Sequence, residues 1–184
     1  MKKMLLLAVT ILLGGCAMFA SAREPIPLAP HVELPRFMGD WYVIGFIPIF
    51  PERNAHNPVE SYRLDEDGTI ATTYRYRDGS FDKKLTKNTP KGFVVPDTNN
   101  ALWGMQFLWP FKGEYRIAHV EPDYSVTIVA RNKRDYVWLM SRRPEMDDDS
   151  YSRYRGMIAA MGYDMAEFKR VPQQWPEKEP RPPL

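Results

Sequence analysis

Short runs of two-residue alternation, each closed by a turn signal, constrain this chain more than any other feature. Along 70–76, Ile70, Thr72, Tyr74 and Tyr76 share one face, and Ala71, Thr73 and Arg75 share the other. Along 102–109, Trp103, Met105, Phe107 and Trp109 oppose Leu102, Gly104, Gln106 and Leu108. Successive strand side chains point to opposite faces, so each run buries one face of a sheet. About nine strand segments follow in series: 41–47, 60–64, 69–77, 81–87, 92–95, 101–109, 114–120, 124–130 and 136–142. Asp67-Gly68 and Asp78-Gly79 read as hairpin turns, since glycine accepts positive φ there. The stretch 48–59, "PIFPERNAHNPV", reads as irregular. With no βαβ alternation and no glycine-rich phosphate loop, the chain is all-β, an up-and-down sheet or barrel.

One helix follows the strands. Asp147, Asp148 and Asp149 suit a helix N-terminus through capping and the macrodipole. Tyr151, Tyr154, Ile158 and Met161 recur at helical spacing, and Gly162 is placed to end it. The expectation is a helix over about 147–161, packing its apolar stripe against the outside of the sheet.

The ends differ from the middle. Lys2 and Lys3 precede the apolar stretch Met4–Leu13, which is too short for a bilayer core of roughly 30 Å and reads as a secretion signal. It ends in Leu13-Gly14-Gly15-Cys16, which resembles a bacterial lipobox, so residues 1–15 read as a lipoprotein signal and Cys16 as the lipidation site. Ordinary cleavage after Ala20-Ser21-Ala22 is the alternative. Residues 16–36 read as a lipid-anchored tether, rich in proline from Arg23 onward, 37–171 as the folded domain, and 172–184 as a proline-rich tail, extended or disordered. With Cys16 as N-terminus, the formal charge goes from +2 to 0, because Lys2 and Lys3 leave. A neutral chain without a basic run gives no footprint for nucleic acid. Cys16 is the only cysteine, so no intramolecular disulfide can form.

Three segments, in order, resemble the lipocalin family, most closely its bacterial outer-membrane lipoproteins. Gly39-Asp40-Trp41-Tyr42 is similar to the G-x-W signature of the first strand. Glu121-Pro122-Asp123-Tyr124 is similar to the D-x-D-Y turn, with Glu121 in the first acid's place, and Tyr136–Pro144 resembles the last-strand signature ending in arginine. The resemblance implies an eight-stranded antiparallel barrel with the C-terminal helix outside. It also implies a closed end formed by Gly39, Trp41 and Arg142, with Arg142 stacked on the Trp41 indole and Arg143 as the neighbouring alternative. Val43, Gly45 and Ile47 are then expected on the Trp41 face, with small Gly45 leaving open space above the floor.

Such a barrel either fills with side chains or holds one small ligand. Thr72, Tyr74, Tyr76, Trp103, Met105 and Phe107 are the expected ligand-contacting wall; Trp103 stands where relatives often carry an aliphatic, which narrows the cavity. By resemblance, the ligand is a fatty acid or a lysophospholipid, stored or transported in the cell envelope. The expected location is the periplasmic face of the outer membrane, through acylated Cys16. A homodimer is left open. No cofactor is expected, and no catalytic or metal constellation is read: His31, His56 and His119 lack metal-ligand spacing. The alternatives are a lipocalin-like enzyme on a lipid or isoprenoid, with Tyr74, Tyr76 or His119 as proton donor, and a structural lipoprotein with a filled barrel.

Overall fold

A computed structural model describes residues 23–49 and 52–177. The signal segment 1–15, Cys16, Phe50-Pro51 and the tail from 178 to 184 lie outside the described residues. The strands are β1 (Gly39–Ile47), β2 (Ala55–Leu64), β3 (Ile70–Asp78), β4 (Leu85–Asn88), β5 (Lys91–Val94), β6 (Leu102–Leu108), β7 (Phe111–Val120), β8 (Val126–Ala130), β9 (Val137–Ser141) and β10 (Lys169–Arg170). The helices are α1 (Leu34–Phe37) and α2 (Asp148–Ala160).

Every pairing is antiparallel, and β9 pairs back onto β1 through Val43↔Met140 and Phe46↔Trp138, which closes the barrel. β4 and β5 both pair with β3, so they form one stave interrupted around Thr89-Pro90. The barrel therefore has eight staves, and β10 adds a short edge on β1.

β2 begins at Ala55, inside the stretch read as irregular, because a bulge between His56 and Val59 takes up Pro58 and Asn57. A second bulge, between Val43 and Gly45, changes which side chains of β1 face inward. Trp41, Val43 and Phe46 belong to the interior cluster, whereas Ile44 and Ile47 pack outside beneath α2. Gly45 is consequently not above Trp41: a Cβ there would come within 2.7 Å of Phe168 Cζ and 3.1 Å of Tyr151 Cε2, on the outer face. One extra residue in a strand moves every later side chain to the opposite face.

α2 buries Tyr154 and Ile158 against the outside of β8 and β9. The Asp147 side chain accepts a hydrogen bond from Ser150 N at 2.8 Å, capping the helix.

The described part of the proline-rich entry segment is docked rather than free. Ala29 N donates to Ile117 O at 2.8 Å and Val32 N to Asn99 O at 3.0 Å, and Ile26, Ala29 and Val32 are buried. α1 then closes one end, with Phe37 fully buried. The described part of the tail, through Glu177, is extended and bonded to the outside of β1 and β2. Asn57 N donates to Pro172 O at 3.0 Å, and Gln173 Nε2 donates to Val43 O at 2.8 Å.

Candidate ligand cavity

The closed end is built around Trp41. Its indole is fully buried and donates to Phe37 O at 2.8 Å. The guanidinium carbon of Arg142 lies 3.8 Å from the Trp41 ring centroid. Its nitrogens donate to Asp40 O at 2.8 Å, Arg36 O at 2.7 Å and Met38 O at 2.8 Å. Burial lowers the Arg142 pKa to about 10, so it remains cationic at neutral pH. Gly39 sits at φ +90°, with its Cβ position 3.4 Å from Arg142 Nη1. A side chain there would be strained by the backbone and crowded by the guanidinium.

Above Trp41, aromatic rings fill the lower barrel. Phe37 packs on Trp41 at 5.0 Å between centroids and edge-on to Trp103 at 5.5 Å, and Trp103 stacks on Tyr115 at 5.3 Å. The Tyr62 and Tyr115 hydroxyls are hydrogen-bonded to each other across this layer. Offset and edge-on pairs of this kind contribute beyond their area, so the layer is a solid floor.

The upper barrel is hollow. A cavity of about 180 Å³ is lined by Glu52, Glu60, Met105, Tyr115, Tyr136 and Trp138, with Ile49 and Phe107 also against it. Trp138 in turn stacks on Tyr74 at 5.1 Å. Roughly 150 Å³ of apolar cavity holds a benzene, and drug-sized ligands occupy about 300–1,000 Å³. This space therefore holds one end of an amphiphile rather than the whole of a long one.

Two carboxyls and the Trp138 indole N–H, a buried donor without a partner among the described residues, give the cavity its polarity. Glu52 is 3% exposed and Glu60 1%, and the Oε2 atoms of both are buried with no hydrogen-bond partner among the described residues. Burial raises the Glu52 pKa to about 8, against the pull of the neighbouring Trp138 indole. Glu60 is pushed well above the carboxylate range by burial and then by the Glu52 charge, with Tyr62 opposing. A lone buried carboxylate is costly, so burial in this cavity favours the neutral form of both groups. Each orphaned acceptor costs about 1–3 kcal/mol. The other charges against the cavity are paired: Glu114 Oε1 accepts from Arg116 Nε at 2.8 Å, and Arg131 Nη1 lies 3.4 Å from Asp135 Oδ2.

Residues 32–173 match the lipocalin-like domain. The chain belongs to the lipocalin-like family. It is 25% identical to the outer membrane lipoprotein Blc of Vibrio cholerae serotype O1 over 176 residues, covering 95% of this chain and 100% of that one. It is also 25% identical to temperature-induced lipocalin-1 of Arabidopsis thaliana over 166 residues, covering 82% and 84%. Among solved structures, the cockroach major allergen Per a 4 superposes with a TM-score of 0.61 at 18% identity, covering 81% of this chain and 93% of that one.

The expected wall of this lipocalin is divided by the aromatic floor. Met105 and Phe107 are against the cavity, and Tyr74 backs it through Trp138. Tyr76 is buried and packs on Tyr74 at 5.1 Å. Trp103 lies in the floor, and buried Thr72, paired with Tyr62 across β2–β3, does not line the cavity either. Phe107 is 60% exposed, because β6 and β7 lose register between Met105 and Leu108 as they leave the barrel. Around it, Leu108, Trp109 and Phe111 are exposed too, forming an apolar hairpin tip. His119 is outside the barrel, 3.2 Å from Glu121 Oε1 and facing the Tyr154 ring of α2 at 6.0 Å.

Sequence reasoning missed Glu52, Glu60, Tyr115, Tyr136 and Trp138. A readable signal existed for Glu60, which is in phase with Tyr62 on β2 and so shares its inward face. Glu52 carried no such signal, since it precedes the strand.

Proposed function

We propose that this lipocalin captures a single-chain hydrophobic amphiphile in the upper barrel, storing or carrying it without transforming it. Fatty acids and lysophospholipids, the ligands the family resemblance implies, belong to this class. The observation that carries the reading is the cavity above a solid aromatic floor, with an apolar hairpin beside it. Alkyl surface covered by the apolar walls and hairpin leaves water at a gain of about 25 cal/mol per Å² buried. The part of the amphiphile that the cavity does not hold runs out past Phe107.

The proposed setting is the periplasmic face of the outer membrane, anchored by acyl chains on Cys16. The lipobox-like Leu13-Gly14-Gly15-Cys16 supports this, as does the similarity to the outer membrane lipoprotein of Vibrio cholerae. Several acyl chains, at about 0.8 kcal/mol per buried CH₂, give a firm anchor.

Passing a mixed-lipid extract over the delipidated protein tests capture. The expected result is retained single-chain lipid and quenching of tryptophan fluorescence. The absence of both retention and quenching would reject the reading. Metabolic labelling with an alkyne fatty acid tests the anchor separately: label is expected on the wild type and lost in Cys16→Ala.

A further inference from the structure

Glu52 and Glu60 are the unusual feature of this cavity. An interior selected only to enclose a hydrocarbon chain has no use for two carboxyls, and apolar residues of the same size would fill it with nothing left unpaired. Both side chains are buried, both line the same space, and each has an oxygen without a donor among the described residues. They are close enough for the charge of one to raise the pKa of the other. Around them are the rings of Tyr115, Tyr136 and Trp138. Acceptors that lack donors, inside a ring-lined pocket, are complementary to a cation that carries N–H groups.

We propose that the cavity is built for the ammonium end of an amphiphile, an alkylamine, whose charged nitrogen sits between the Glu52 and Glu60 carboxyls among the rings of Tyr115, Tyr136 and Trp138. The inference rests on the proposed capture of an amphiphile in the barrel and names which end goes in. The ammonium donates N–H hydrogen bonds to the two free Oε2 atoms, and the rings supply cation–π attraction. A fatty acid entering head-first can accept from the protonated carboxyls and from the Trp138 indole, but it brings no cation to the rings and no donor to an ionised carboxylate. Entering tail-first, it leaves both Oε2 atoms without donors.

The arriving cation reverses the electrostatics of the site. Without ligand, burial keeps the pair protonated, whereas beside an ammonium a carboxylate is favoured. Binding therefore breaks one carboxyl O–H bond, releases that proton to solvent and leaves an ion pair in the cavity. The Trp138 indole beside Glu52 favours the same ionised form. Glu114 is held by Arg116 and Arg131 by Asp135. The Tyr62, Tyr115 and Tyr136 hydroxyls, all raised by burial and then by the Glu60 charge, stay protonated. Glu52 and Glu60 are thus the groups whose titration couples to the ligand, and affinity rises with pH towards the Glu52 value of about 8.

The test uses octylamine, octanol and octanoate, which share a chain and differ in the head, with the delipidated protein and calorimetric titration. Near pH 8, octylamine is expected to bind about tenfold tighter than octanol, with octanoate weakest. The amine preference shrinks near pH 6, and binding near pH 6 to 7 releases a proton, read from the dependence of the heat on the buffer. Glu60→Gln and, independently, Glu52→Gln reduce octylamine affinity more than octanol affinity, so the amine preference falls. The two substitutions keep the test alive if one variant fails to fold. Octanoate binding as tightly as octylamine, or an amine preference that survives both substitutions or does not change with pH, overturns the ammonium assignment and leaves amphiphile capture standing. Failure of all three probes to bind overturns capture itself.

Discussion

The guanidinium of Arg142 stands 3.8 Å from the centre of the Trp41 ring, joining the last stave of the barrel to the first. The same guanidinium bonds to the carbonyls of Arg36, Met38 and Asp40, so one side chain ties α1, β1 and the end of β9 together. Trp41→Ala empties a fully buried site and is expected to cost about 3–5 kcal/mol of stability. Arg142→Lys keeps the charge but loses the planar fork, at about 1–3 kcal/mol. Urea unfolding with an unchanged m-value measures both. Because the cavity is above the floor, ligand selectivity should outlast the loss of stability; selectivity failing first would place Trp41 at the ligand.

Gly45 argues a separate point about the outer face. A Cβ at this position meets Phe168 Cζ at 2.7 Å, so the approach of the segment after α2 to β1 depends on glycine. Gly45→Ala is expected to destabilise by about 1–3 kcal/mol through overpacking. Phe168→Leu removes the crowding ring, so the double variant should recover part of that loss in a double-mutant cycle. Additive losses would show that the contact is not the cause.

These two residues also show what alternation can and cannot reveal. Trp41 precedes the β1 bulge, so period-two counting from the start of the strand gives its face correctly. Gly45 follows the bulge, where counting gives the wrong face. Similar shifts at His56/Val59, Met105/Leu108 and Ile117/His119 are set by backbone geometry that no side-chain pattern reports. The prolines of 23–33 disfavour regular helix and sheet, and they suit an extended chain whether tethered or docked, while Pro35 is tolerated in the first turn of α1. Here Ile26, Ala29 and Val32, three residues apart, match the period of an extended polyproline-like segment with one buried face. The cavity was the least legible part, because Glu52 comes from the loop before β2 and Glu60 puts a charge on a face where alternation leads one to expect apolar wall.

The buried acids make stability depend on pH in an unusual direction. Glu52 titrates near 8 when folded and near the ordinary 4.5 when unfolded. Between those values the folded state holds a proton that the unfolded state has lost, so stability falls as pH rises. The slope is at most about 1.4 kcal/mol per pH unit for one such group, and Glu60, raised in the same direction, adds to it. The expected outcome is a Tm that declines from about pH 5 through about pH 8. Glu52→Gln should flatten the decline, and a Tm that rises across this window would exclude protonated acids in the cavity.

The apolar hairpin tip is exposed without supporting the fold. Leu108 is 71% exposed, Trp109 80% and Phe111 73%, so none buries much area that a substitution could lose. Trp109→Ser with Phe111→Ser is expected to change unfolding stability by no more than about 0.5 kcal/mol each. Contiguous apolar surface of this kind draws partners, and on an isolated chain the available partner is a second copy. Sedimentation velocity over a concentration series should therefore show weaker self-association for the double variant than for the wild type. If the wild type is already monomeric at every concentration, the tip does not join two copies. If both proteins associate equally, the homodimer contact lies on another face of the barrel.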